Sequence, residues 1–322
     1  MPILMPLGCC SAALGNPSSS SPRCLLPARA WRWRWCGDAS VDPRKTAEGV
    51  LRDGTEFAAK VLSSESEQGI KEFLAEIESI SQVKHANLVR LLGCCVQRKK
   101  RILVYEYLAN NSLDHALKGA AADLPWSTRS GICLGTAKGL SYLHEEHEPN
   151  IVHRDIKASN VLLDRDYLPK IGDFGLAKLF PDNITHISTA VVGTSGYLAP
   201  EYFVHGQLTK KADVYSFGVL VLEIVSGRRV SQTIQSDMFP AWMMYQQGRL
   251  LEIVDASMGS YPEKEVLRYI KVGLACTQAT PSSRPTMRQS EWDTTRKGTT
   301  ELEAQIPKKR GHILLQDDYN IL

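Results

Sequence analysis

The run His153-Arg154-Asp155-Ile156-Lys157-Ala158-Ser159-Asn160 decides how this chain is read. Within eight positions it offers a carboxylate, an ammonium group and a carboxamide. Thirteen residues past Asn160 stands Asp173-Phe174-Gly175, and beyond it Ala199-Pro200-Glu201. These motifs share a loop-rich stretch, 150–207, and loops held on a rigid frame are where binding and catalytic side chains concentrate. Upstream, Phe57-Ala58-Ala59-Lys60 closes a strand-like run, and Glu76 sits inside an amphipathic one. A lone strand lysine or a lone Asp-Phe-Gly is commonplace; the ordered set is not.

The flanking sequence supplies the frame. Leu51-Arg52-Asp53-Gly54-Thr55-Glu56-Phe57 places an Asp-Gly turn between two short strand-like runs, a hairpin signal. From Glu67 to Val83, Ile70, Phe73, Leu74, Ile77 and Ile80 follow a 3.6-residue period, so a helix is expected there. Leu88 to Val96 and Ile102 to Tyr107 read as two further strands. Beyond Asn111 the pattern turns helical, with helices expected over Ser127–His144, Lys210–Val225, Phe239–Gln246 and Glu263–Cys276. The expected fold is α+β and bilobal: a small β-rich lobe with one helix, and a larger, mainly helical lobe. A connector around Ala109–Ser112 joins them, and the cleft between is the favoured place for a ligand.

The ordered motifs resemble those of the eukaryotic protein kinase family. The closest texture is that of plant receptor-like serine/threonine kinases, particularly their cytoplasmic members. Besides the motifs above, it is carried by His85-Ala86-Asn87-Leu88-Val89, Leu92-Gly93-Cys94-Cys95, Leu103-Val104-Tyr105-Glu106-Tyr107, Gly196-Tyr197-Leu198-Ala199-Pro200-Glu201-Tyr202 and Asp213-Val214-Tyr215-Ser216-Phe217-Gly218-Val219. The resemblance implies a protein kinase that uses ATP and Mg2+, with Asp155, Lys157, Lys60 and Glu76 as catalytic residues. It implies that Asp155 takes or orients the proton of a substrate hydroxyl and that Lys157 faces the transferring phosphate. Lys60, fixed by Glu76, would hold the α- and β-phosphates; Glu78 is the other possible partner. Asn160 and Asp173 would be the metal ligands, Ala58 and Leu162 would sandwich adenine, and the backbone of Glu106 and Leu108 would meet its edge, beside Tyr105.

Arg154, Ser188, Thr189 and Thr194 are the regulatory candidates the resemblance suggests. A phosphate on the segment between Asp173 and Glu201 would pair with Arg154, and Thr194 would also position the substrate. Asp213 would brace the catalytic loop, and Arg284 would pair with Glu201.

Two ends depart from the family pattern, which covers about residues 46–288. No Gly-x-Gly-x-x-Gly precedes Lys60; the nearby glycines are Gly37, Gly49 and Gly54. That loop's backbone amides would cradle phosphates, so its loss weakens nucleotide binding and leaves a pseudokinase or truncated scaffold as the alternative function. After Pro285-Thr286-Met287 no closing helix is legible. The resulting division is 1–45, an atypical and disordered extension; 46–108, the small lobe without its first strand; 109–288, the large lobe; and 289–322, a divergent tail.

Composition excludes other classes. Of 322 residues, 43% are hydrophobic and 23% charged, which rules out collagen-like or wholly disordered chains. The net charge is +3, but the first 37 residues hold four Arg and no acid, so the remainder is net −1 and no nucleic-acid partner is expected. The extension reads as an unstructured segment, an organelle transit peptide, or a membrane-surface segment acylated at Cys9 or Cys10; Pro2 excludes N-myristoylation. The longest apolar run, Val214 to Val225, is too short to span a bilayer. Eight cysteines without C-x-x-C spacing read as reduced thiols of a cytoplasmic protein, with plasma-membrane association left open. The expected partners are protein substrates and a receptor or upstream kinase.

Overall fold

The structure is a computed structural model that describes residues 4–5, 46–51, 53–63, 67–81, 83–97, 100–118, 124–181, 184–228, 238–295 and 306. The smaller lobe is a five-stranded antiparallel sheet in the order β1-β4-β5-β3-β2, made of β1 (Leu4–Met5), β2 (Thr46–Val50), β3 (Glu56–Ser63), β4 (Leu91–Gln97) and β5 (Lys100–Glu106). β2 and β3 form the expected hairpin. Gly54 takes φ 88°, a left-handed conformation that glycine adopts without steric cost, and Asp53 Oδ1 accepts the Thr55 N–H at 3.0 Å.

Alternation along β3 sorts its side chains by face. Phe57 and Ala59 pack with Val104 on one side of the sheet, while Ala58 and Lys60 face the cleft between the lobes. Helix α1 (Glu67–Ile80) lies on that cleft side. Its buried stripe is Phe73, Glu76, Ile77 and Ile80, at the i, i+3, i+4, i+7 spacing of one helical face. A carboxylate is thus carried on an apolar stripe; Glu78, two residues on, is exposed.

The larger lobe is built around α3 (Trp126–Glu145), α5 (Lys210–Ser226) and α7 (Glu263–Cys276), with the short helices α2 (Leu113–Lys118), α4 (Pro200–His205) and α6 (Met238–Gln246) around them. α5 is buried from Ala212 to Val225. Thr209 caps its start by accepting the Lys211 N–H, and Gly227, at φ 65°, ends it. α5 and α7 approach so closely that a Cβ at Gly218 would lie 2.6 Å from Cys276 Cβ and 2.8 Å from the Gly273 carbonyl oxygen. The loop-rich stretch contributes β6 (Asn150–Val152), β7 (Val161–Leu163), β8 (Pro169–Ile171), β9 (Lys178–Phe180), β10 (Ile187–Ser188) and β11 (Gln207–Leu208), paired as three two-stranded ladders.

Three expectations are corrected. The strand expected from Leu88 begins at Leu91; Leu88 instead bridges Ile171 and fastens this segment to the larger lobe. The tail expected from 289 begins with structure: α8 (Met287–Thr295) is helical, and its buried residues Met287, Ser290 and Thr294 share one face. That face shows little in the sequence because two of its members are hydroxyl residues; Ser290 bonds the Thr286 carbonyl at 3.0 Å and Thr294 that of Glu291 at 2.7 Å. Third, Cys94 is disulfide-bonded, whereas Cys133 and Cys276 are free thiols and buried. Sequence spacing carries no signal for a bond at Cys94. Readings of residues 1–45 fall outside the described residues except at Leu4–Met5, and those of 296–322 except at Ile306.

Candidate functional site

A cleft of about 480 Å3 opens between the sheet and the larger lobe. Ala58, Lys60, Glu106, Leu108, Asn160, Leu162 and Asp173 all line it, together with Tyr105. Val89 and Ser159, inside the quoted motifs, line it too, as do Glu48 and Asn111, which no sequence motif singles out. Glu48 enters through the pairing of β2 with β3, which sets it opposite Ala58; Asn111 enters on a backbone with φ 59°.

Lys60 is the hub of the small-lobe side. Its ammonium lies 3.0 Å from Glu76 Oε1 and 2.5 Å from Asp173 Oδ1. Burial acts to lower the Lys60 pKa, but the two carboxylates outweigh it and hold the ammonium above its ordinary value. Glu76 is fully buried, and desolvation pushes its carboxyl up despite Lys60. Its second oxygen and the Tyr105 hydroxyl are buried and, among the described residues, meet no partner at full hydrogen-bond geometry, so each is the other's nearest available one. Asp173 answers differently: burial raises its carboxyl, Lys60 lowers it, and the net direction is down. Asp173 has φ 62°, a left-handed backbone uncommon outside glycine, and Phe174 after it is buried edge-on against His153 at 4.8 Å.

Asp155 organises the large-lobe side. Its Oδ1 accepts the Thr194 hydroxyl at 2.6 Å, and its Oδ2 accepts Asn160 Nδ2 at 3.0 Å and lies 2.8 Å from Lys157 Nζ. Lys157 also donates to Thr194 Oγ1 at 2.7 Å. Asn160 gives a second bond to the Asp155 carbonyl at 2.8 Å, which leaves its amide oxygen as the group able to accept or ligate. The loop carrying these groups is tied from behind by Asp213, which is buried and accepts the N–H of His153 at 2.7 Å and of Arg154 at 2.8 Å. His144 Nε2 meets the same carboxylate at 2.9 Å. Burial would raise the Asp213 carboxyl, but these hydrogen bonds and the nearby histidines hold it below its ordinary value.

The regulatory candidates divide. Thr194 joins the Asp155 cluster directly. Arg154, with φ 72°, donates to the Tyr202 hydroxyl at 2.7 Å and to the Ala190 carbonyl at 2.9 Å, not to Ser188 or Thr189. Ser188 is exposed on β10 and Thr189 is half-buried, its N–H bonded to the Gly206 carbonyl at 3.1 Å. Tyr202 as a partner of Arg154 has no sequence signal. The base of this segment is bolted by Arg284, which forks onto both carboxylate oxygens of Glu201 at 2.8 and 2.7 Å. Among the described residues no helix is long and apolar enough to cross a membrane.

Comparison with known proteins places this geometry. A family model described as protein tyrosine and serine/threonine kinase matches residues 45–292. Cold-responsive protein kinase 1 of Arabidopsis thaliana is 54% identical over 251 residues, which cover 74% of this chain and 64% of that one. A probable LRR receptor-like serine/threonine-protein kinase of the same plant is 53% identical over 249 residues, 74% of this chain but 24% of its own. The chain therefore spans about two thirds of the first relative's length and about a quarter of the receptor-like one's.

Proposed function

The chain belongs to the protein tyrosine and serine/threonine kinase family, and from that premise we propose that it transfers the γ-phosphate of ATP to serine and threonine hydroxyls of protein substrates. The observation behind this reading is that two bonded clusters reach one cleft: Lys60 and Asp173 line it with Glu76 bonded behind Lys60, and Asn160 lines it while bonding Asp155, which in turn meets Lys157 and Thr194. The plant relative named as a receptor-like serine/threonine-protein kinase supports the hydroxyl class.

The roles are those the family resemblance implies, and the positions of the side chains support them. Ala58 and Leu162 close on adenine from opposite lobes, and the backbone of Glu106 and Leu108 meets its polar edge. Lys60, positioned by Glu76, neutralises the α- and β-phosphates. Phosphoryl transfer has a loose, highly charged transition state, so placing cations accounts for most of the catalysis. Asp155 accepts the proton of the substrate hydroxyl as the new O–P bond forms and the bond to the ADP oxygen breaks; Lys157 faces the group in flight.

The donor set suits Mg2+, which prefers hard oxygen ligands: the Asn160 amide oxygen is left free by its two donated bonds, and Asp173 supplies a carboxylate held ionised. Mg2+ supplies neutralisation of the phosphate oxygens when bound. Protein substrates approach beside Thr194, with a receptor or upstream kinase as the partner for the segment carrying Ser188 and Thr189.

The test is hydrolysis and phosphoamino-acid analysis of a mixed peptide substrate after incubation with ATP and Mg2+. Phosphoserine and phosphothreonine are expected. Phosphotyrosine alone would contradict the assignment of hydroxyl class.

A further inference from the structure

A second depression, of about 340 Å3, lies where the segment leading into β4 crosses onto the larger lobe. Lys84, His85 and Arg90 border it from that segment, Lys170 borders it from β8, and Val83 and Leu88 line its apolar floor. Its one carboxylate, Glu106, is already committed: it accepts Lys170 at 3.0 and 3.1 Å and the Arg90 N–H at 2.8 Å. Lys84 and Arg90 are exposed, and the side chain of neither has a carboxylate partner among the described residues. His85 stacks on Tyr142 at 4.9 Å, and its Nδ1 accepts the Asn87 N–H at 3.1 Å, so Nε2 carries the proton and is a donor. Excess positive charge and spare donors therefore face one small hollow, although the chain beyond its first 37 residues is net −1.

We propose that this hollow is a docking site for a phosphorylated serine or threonine of a partner peptide. A cluster of cations round one compact depression fits a single dianionic group with several acceptor oxygens better than carboxylates strung along a chain. Arg90 and Lys84 supply the unpaired charge, His85 the directed donor, and Val83 with Leu88 an apolar surface for the flanking residue.

Glu106 gives the site a consequence. It lines both this hollow and the main cleft, so a phosphate that draws Lys170 away alters the last residue of β5, at the cleft's rim. Binding at the two clefts is thereby coupled, and the coupling is reciprocal.

The experiment measures binding, without ATP, of a short fluorescein-labelled peptide with one phosphoserine among neutral residues to the full chain. The expected result is saturable binding that weakens with salt and falls about tenfold or more in the Lys84→Ala/Arg90→Ala variant. Both side chains are exposed, so the fold survives the change, and circular dichroism checks this. Unchanged affinity in that variant, equal binding of the unphosphorylated peptide, or binding of phosphatidylserine vesicles in place of the phosphopeptide would each overturn the proposal. Because no phosphate transfer is read, the result stands apart from whether the chain is an active kinase.

Discussion

The ammonium of Lys60 and the carboxylate of Asp173 meet at 2.5 Å although 113 residues separate them in the chain. One comes from a strand of the smaller lobe and the other from a left-handed turn of the larger, so this bond spans the cleft. It also keeps Asp173 ionised and engages the group that would ligate a metal. Were Asp173 to hold a divalent cation, Lys60 would be left to pair with phosphate oxygens.

Lys60→Met is expected to abolish phosphate transfer. It also strands the Glu76 carboxylate, which is fully buried and has one oxygen that, among the described residues, meets no partner at full hydrogen-bond geometry. The stability cost, discounted for the partial exposure of Lys60, is about 2 kcal/mol. Adding Glu76→Gln is expected to recover much of the stability and none of the activity. Urea unfolding beside a transfer assay separates the two effects; a stable, active Lys60→Met variant would remove Lys60 from its role.

Thr194 bridges Asp155 and Lys157 through one hydroxyl. Thr194→Val removes that bridge and is expected to lower kcat about tenfold or more, with Thr194→Ser near the unsubstituted rate. A purely structural role would lower the melting temperature of the Val variant in proportion, so both quantities are measured.

Asp213 ties stability to acidity. Its carboxyl lies below the ordinary value of 3.8 in the folded chain. Its contribution is therefore complete above the unfolded value, about 4, and is lost as pH falls through the lower folded one. Asp213→Asn is expected to be less stable at neutral pH, with the gap narrowing below pH about 4. Denaturant unfolding from neutral to strongly acidic pH checks this; a constant gap would deny the linkage.

The Arg284–Glu201 fork makes a separate demand. Arg284 is buried, and Glu201→Ala leaves its charge without a counter-ion, at a cost of about 3–5 kcal/mol. The pair replaced together, as Arg284→Met with Glu201→Leu, is expected to be nearer the original stability. Calorimetry or urea midpoints decide between these outcomes.

Much of the site was legible as an ordered set of motifs that the family resemblance assigns, and local periodicity then accounts for where those side chains lie. Lys60 and Ala58 share a face by the two-residue alternation of β3, and Glu76 lies on the apolar stripe by helical spacing, where Glu78 does not. The loop motifs were readable as an ordered set. What escaped depends on long-range registry: Glu48 faces the cleft through its pairing with Ala58, and Tyr202 reaches Arg154 across the segment between them. α8 escaped for another reason, since Ser290 and Thr294 are buried by satisfying their hydroxyls locally and leave no apolar period. Nothing in the sequence marks the disulfide of Cys94.

The most direct measurement is transfer of labelled γ-phosphate from ATP with Mg2+ to a serine- and threonine-containing protein, by the full chain and by its Asp155→Asn variant. The account predicts transfer by the first, lost with EDTA and reduced to background in the second. Equal signal from both proteins would contradict it.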